Sequence, residues 1–139
     1  MNDHNNLPEP YQPEAWLRRA QSDLALARHA AETDDVLPED AVYHAQQCAE
    51  KALKAVLLKR VGQFPFVHDL DVLTERLEEM GMALPDHVHR AGELTQYAIQ
   101  TRYPGDWEPV TRAEMKEKIA LAAQILEWAQ AVMGDEECE

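Results

Sequence analysis

Metal chelation and proton transfer are the first chemistries to weigh in a chain of 139 residues with six histidines, two cysteines and 26 acidic side chains. His44 and Cys48 stand four apart, a chelating spacing on a helix, but two further donors at matching intervals are missing. Asp86-x-x-His89 has the acidic-x-x-His spacing of a di-iron bundle. Such a site needs two of these pairs and two more carboxylates, so neither a metal nor another cofactor is expected. The glycines at 62, 81, 92, 105 and 134 are too scattered to cradle a phosphate, and Ser22, the only serine, lies mid-helix without a triad around it.

Two stretches remain. One is a polar row on a helix, Tyr43, Gln47, Glu50 and Lys54, with His44 and Lys51 beside it. A solvated helix face is the commonest reading of this row. The second stretch is Thr101-Arg102-Tyr103-Pro104-Gly105-Asp106-Trp107-Glu108-Pro109, a loop held by two prolines. Arg102 can bond helix-end carbonyls or a carboxylate, or it can contact a phosphate while Tyr103 or Trp107 stacks on a base. Asp106 is a weak base there, because an exposed carboxylate rarely carries a proton at neutral pH. His68 reads as a residue at a helix start, next to the capping Asp69. Asp23 lies close to an apolar stripe and is expected to pair with Arg19, four residues back, or else to orient a basic residue of a site.

The elements that must position these residues are helices. Ala45, Ala49, Ala52 and Val56 form one line over about five turns, flanked by Ala41, Val42, Cys48, Leu53 and Ala55. So many small residues let neighbouring backbones come close, which places this helix at the centre of a bundle. Pro38 suits its first turn, and Gly62 stops it just after Lys59 and Arg60. An earlier helix over residues 14–32 buries Trp16, Leu17, Ala20, Leu24, Ala27 and Ala31. Phe64 and Phe66 are expected to plug one end of the bundle, with a hydrophobic lip at a pocket as the alternative. A short helix over 69–80 uses Leu70, Leu73 and Leu77, and a fourth over 86–100 turns Val88, Ala91, Leu94, Thr95 and Ala98 inward. The last helix opens on the capping box Thr111-x-x-Glu114 and closes at Gly134, and its two apolar lines imply a place at the bundle centre or a dimer seam.

Composition agrees. Hydrophobic residues make up 45% but aromatics only 6%, a mix that suits alanine-rich helices and fits poorly with a sandwich or barrel. The fold class expected is all-α, an up-and-down four-helix bundle with an additional short helix, spanning residues 14–133 between a flexible arm (1–13) and an acidic tail (134–139). No apolar run approaches the roughly 18 residues of a membrane span, so no membrane contact is expected. Cys48 and Cys138 differ too much in setting to form a structural disulfide, which points to the cytoplasm. The net charge of −13 repels nucleic acid unless charge is segregated, and the one basic cluster is Lys51, Lys54, Lys59 and Arg60.

The run HAQQCAEKALKAVLL, then Gly62, His68-Asp69-Leu70 and Thr101-Arg102-Tyr103-Pro104-Gly105, resembles the HEPN domain family from about residue 15 to about 128. The resemblance implies a homodimer, contact with a nucleotide or RNA, and a separately encoded minimal nucleotidyltransferase as partner in a toxin–antitoxin-like module. Gln46, Gln47 and Lys51 match positions that recur in the family, which suggests a packing or pairing role at a dimer interface or a polar groove that holds a ligand; the candidate ligand contacts are Arg102, Tyr103, Asp106, Trp107, Gln47, Lys51, Lys54 and His68. Ribonucleases of the family use an arginine with a histidine four to six residues on, where Arg102 meets Asp106, Trp107 and Glu108. No catalytic residue is therefore assigned, and a non-catalytic binding subunit is expected. A metal-independent RNase toxin with a degenerate motif and a ligand-free dimeric interaction module are the alternatives.

Overall fold

A computed structural model describes residues 8–98 and 108–137, with side chains to residue 134. Within them five α-helices and a long 3-10 helix make an all-helical bundle, with no strand. Helix α1 (Pro13–Ala31) follows a short 3-10 turn, Glu9–Tyr11, and leads to α2 (Pro38–Val61). After these come α3 (Leu70–Glu79), α4 (Asp86–His89), the 3-10 helix Arg90–Ala98, and α5 (Arg112–Glu137). None of the described helices is long and apolar enough to cross a membrane.

Helix α2 is the axis. It packs most extensively on α1 and α5 and also meets α3 and the 3-10 helix. Its alanines 41, 45, 49, 52 and 55 are wholly buried, as are Ala20 and Ala27 of α1 facing it. Side chains this short bring the backbones together and leave little room for water between the helices. Cys48 is buried in the same seam, its Sγ 3.9 Å from the carbonyl oxygen of Ala122 on α5. Both apolar lines of α5 are used inside the chain, with Met115, Ile119, Leu121, Ala122, Ile125, Leu126, Ala129 and Met133 buried and Trp128 and Val132 half-buried against them.

The helix ends follow local chemistry. Pro38 occupies the first turn of α2, and Gly62 ends it in the left-handed region at φ 86°, its N–H bonded to the Leu58 carbonyl. Asp69 caps α3 by accepting from the Asp71 N–H at 3.0 Å, and the Leu70 N–H donates to Thr95 Oγ1. Thr111 Oγ1 accepts from the Glu114 N–H, which is half of a capping box. The other half is absent, because the Glu114 carboxylate takes a short hydrogen bond from the Tyr97 hydroxyl.

Three expectations need correction. The fourth helix is α-helical for one turn only and then tightens. Val88, Ala91, Leu94 and Tyr97 are all buried, a strict spacing of three that stacks one row on a 3-10 helix and that an α-helix would splay. Phe66 does not plug the bundle: it is 95% exposed, and only Phe64 leans on the core. Gly134 does not close α5, which runs on to Glu137.

Two measurements test this account. Gly62→Ala forces a Cβ into the left-handed region and should cost about 1 kcal/mol, whereas Gly134→Ala, with open space at its Cβ, should gain about 0.5 kcal/mol in urea unfolding. Burial first and Glu114 second push the Tyr97 phenol above its ordinary value of 10. The unfolded chain then releases this proton at a pH where the folded chain keeps it, so the unfolded state binds fewer protons. Stability present up to about pH 10 should fall as pH rises beyond it, and Tyr97→Phe should remove that part of the alkaline loss.

Candidate functional site

Two carboxylates are buried along α2, and each gathers basic side chains around it. Asp23 comes from α1 and is 7% exposed. Its Oδ2 accepts from Lys51 Nζ at 2.6 Å, and its Oδ1 lies 3.1 Å from His44 Nδ1. Glu50 of α2 itself is 4% exposed. It accepts from Lys54 Nζ at 3.0 Å and from Gln46 Nε2 at 2.9 Å, and His68 Nδ1 sits 3.1 and 3.2 Å from its two oxygens. Gln47 Nε2 donates to Gln46 Oε1 at 2.7 Å, next to both clusters along the helix.

Aromatic rings close one end. The Lys54 ammonium lies 5.2 Å from the Phe64 ring centre and 5.9 Å from that of Trp16, a placement that favours the cation while keeping it from water. Trp16 meets Phe64 edge-on, and its indole N–H holds the Pro10 carbonyl at 2.9 Å. That bond ties the 3-10 turn Glu9–Tyr11 to the bundle and leaves a cleft of about 390 Å³ lined by Pro10, Trp16, Arg19 and Lys51, among others.

Four of the eight expected ligand contacts are thereby placed. Gln47, Lys51, Lys54 and His68 share one polar neighbourhood, whereas Arg102, Tyr103, Asp106 and Trp107 lie outside the described residues. Lys54 is 5% exposed and turned inward, so it supports the site and does not face a ligand. The polar row is not a solvated helix face, since Glu50 and Lys54 are both buried. Asp23 does not pair with Arg19, which instead binds Glu9 with its Nε at 2.7 Å. His68 leaves the capping of α3 to Asp69 and turns to Glu50. His44, Gln46 and Glu50 join this polar neighbourhood although they were not among the expected ligand contacts; the polar row had marked His44 and Glu50, but not their pairing with Asp23 and His68.

Thiol chemistry is closed to Cys48. Burial, reinforced by the nearby Asp23, pushes its pKa up to about 12, so it stays a protonated thiol. No group of three or more histidine, cysteine or acidic side chains among the described residues is arranged to hold a metal ion. What the arrangement offers is a pair of cations and a pair of imidazoles fixed in direction by acids they cannot leave cheaply.

The HEPN domain model matches residues 13–132, most of the chain and all of the helical bundle. The chain belongs to the HEPN domain family. Among its relatives is MJ1304 of Methanocaldococcus jannaschii, named as a candidate toxin, 28% identical over 130 residues that cover 81% of this chain and 82% of that one. TT1696 of Thermus thermophilus superposes with a TM-score of 0.74 at 34% identity, covering 86% of this HEPN chain and 96% of the other. ST0689, described as an archaeal HEPN homologue, gives 0.67 at 29% identity over 86% and 95% of the two chains.

The buried Glu50–Lys54 pair makes a sharp stability test of this HEPN bundle. Glu50→Ala strands an ammonium under two aromatic rings and should cost about 3–5 kcal/mol. Lys54→Met added to it should restore most of that loss in chemical unfolding.

Proposed function

We propose that this HEPN chain is one component of a toxin–antitoxin-type pair, and that it engages the phosphate of RNA or of a nucleotide along the α2 face. Lys51 and Gln47 supply the floor of the site, with His68 at its edge. The observation that carries the reading is the pairing of Lys51 with buried Asp23, beside an open cleft that also holds Arg19, itself paired with Glu9. An ammonium has three donors, so the Lys51–Asp23 bond orients the group and leaves donors for a phosphate. The likeness to a candidate toxin over four-fifths of both chains supports the toxin-type assignment.

In this reading the protein works in the cytoplasm as a homodimer, beside a minimal nucleotidyltransferase. Arg102 serves as a phosphate contact, with Tyr103 or Trp107 stacking and Asp106 close by, and that corner is not a catalytic centre because no histidine follows at 106–108. The RNase-toxin reading is favoured by one observation, the two imidazoles held by the buried carboxylates of Asp23 on α1 and Glu50 on α2.

Calorimetric titration with ATP, GTP and a short single-stranded RNA tests the proposal. Binding that weakens about tenfold or more in Lys51→Gln, equivalent to at least about 1.4 kcal/mol, supports it. An absence of binding heat for all three ligands would leave the ligand-free interaction module. Expression of the chain alone should arrest growth, and a strain that grows normally under induction contradicts the toxin role.

A further inference from the structure

We infer that the 3-10 turn Glu9–Tyr11 is a built-in competitor for the cleft beside Lys51. Its Glu9 carboxylate holds Arg19 in place of a ligand's phosphate, and an anion binds as the turn lifts away. The inference rests on the phosphate-binding reading of the α2 face and adds a regulatory step to it.

Charge placement in the cleft points to this. Arg19 and Lys51 are the cations that line it, and Glu9 lines it with them. Lys51 gives one donor to Asp23, at 2.6 Å. Arg19 is held by Glu9: its Nε donates to Oε1 at 2.7 Å, and Nη2 closes on the same oxygen. Each cation thus faces a carboxylate, but the two acids differ. Asp23 is buried and bonded to His44 as well, so it stays in place. Glu9 and Arg19 are both more than half exposed, where an ion pair is weak and easily exchanged. Glu9 also presents a single oxygen to the guanidinium fork, whereas a phosphate offers it paired oxygens.

The turn is fastened in a way that lets it leave. None of its residues is buried, and Tyr11 is 56% exposed. The Trp16 indole N–H holds the Pro10 carbonyl at 2.9 Å, a neutral bond that water or a ligand oxygen can replace at the same donor. Within the turn, the Tyr11 N–H donates to the Pro8 carbonyl and the Gln12 N–H to the Glu9 carbonyl, so it keeps its shape as it moves. Gln12 has extended backbone and its carbonyl caps α1, so rotation about its N–Cα bond swings the turn without unwinding the helix. Trp16 and Arg19 stand three apart on one face of α1. Lifting the turn therefore uncovers an indole N–H and a guanidinium together, beside the remaining donors of Lys51. With Glu9 seated, the cations and carboxylates here cancel; with Glu9 away, one cation is left for an anion.

Calorimetric titration of the full chain with ATP and with a short single-stranded RNA tests the competition. Glu9→Gln keeps the turn but removes its charge, and should tighten binding about threefold or more. In an Arg19→Gln background the same change should have little effect, because the contested cation is gone. Both residues are exposed, so these variants keep the fold. A fluorophore on Tyr11→Cys, in a Cys138→Ser background that leaves only the unreactive buried Cys48, reports on the turn itself. Its anisotropy should fall as ATP binds, whereas a ligand that leaves the turn seated would not lower it. Wild-type protein that binds at least as tightly as Glu9→Gln overturns the competition and spares the binding reading. Tightening that persists without Arg19 is a general effect of charge and also overturns it, as does an anisotropy that holds steady at saturation. If neither wild type nor Glu9→Gln binds either ligand, the phosphate-binding reading falls and the competition falls with it.

Discussion

Burial of charge along a helix made mostly of alanine is the constraint on which the rest of this structure depends. The seam of α2 with α1 and α5 is lined by alanines and Cys48, so the helices approach closely and water has little room between them. A carboxylate placed there must find partners within the protein or lose its charge. Asp23 and Glu50 each find a lysine, an imidazole and, for Glu50, an amide. The acids and their partners together come from α1, α2 and the 63–69 loop, so the same bonds that neutralise the acids also fix how the helices and the loop sit against one another. Breaking one partner leaves a buried charge, and the geometry is defended by that cost.

The same constraint explains how a chain with a net charge of −13 can offer an anion-binding face. Field at a surface depends on where charge is exposed, not on the total. Asp23 and Glu50 are withdrawn from the surface and matched by ammonium groups, so they repel a phosphate far less than exposed acids would. Much of the remaining acid lies elsewhere, as with Glu75, Glu78 and Glu79 on the outer side of α3. Lys51 is half-exposed beside the cleft and presents the local positive potential. Binding that rests on so few cations should depend only mildly on salt compared with a basic nucleic-acid binder.

Much of the fold was legible because it is written in local chemistry. The alanine line of α2, Pro38 at its start, Gly62 at its end and Asp69 before α3 act through neighbours a few residues away, and each does in the structure what its residue type dictates. The 3-10 helix was missed, because a helical wheel set at 3.6 hides the spacing of three from Val88 to Tyr97 and loses Tyr97. The family resemblance is established over the bundle. The site was harder to read. Gln47, Lys51, Lys54 and His68 could be marked as polar and clustered, but their partners are set by packing. Asp23 reaches Lys51 across 28 residues and Glu50 reaches His68 across 18, and no local spacing encodes either pair. Arg19 was the nearer partner for Asp23 on the helix, and it lost because Glu9 is available on the outer side while Lys51 and His44 face the seam.

Both Lys54 and His68 bond to Glu50, yet they stand at opposite ends of exposure. Lys54 is sealed beneath Trp16 and Phe64, where an ammonium can balance the acid but cannot touch a ligand. His68 sits outside those rings with most of its surface open. A protein needing only charge balance at Glu50 could end with the lysine. Glu50 also holds the His68 ring through Nδ1, which fixes the direction of a side chain that is mostly exposed. Asp23 of α1 likewise takes one lysine and one imidazole from α2, but there Lys51 and His44 are both partly exposed and neither is sealed.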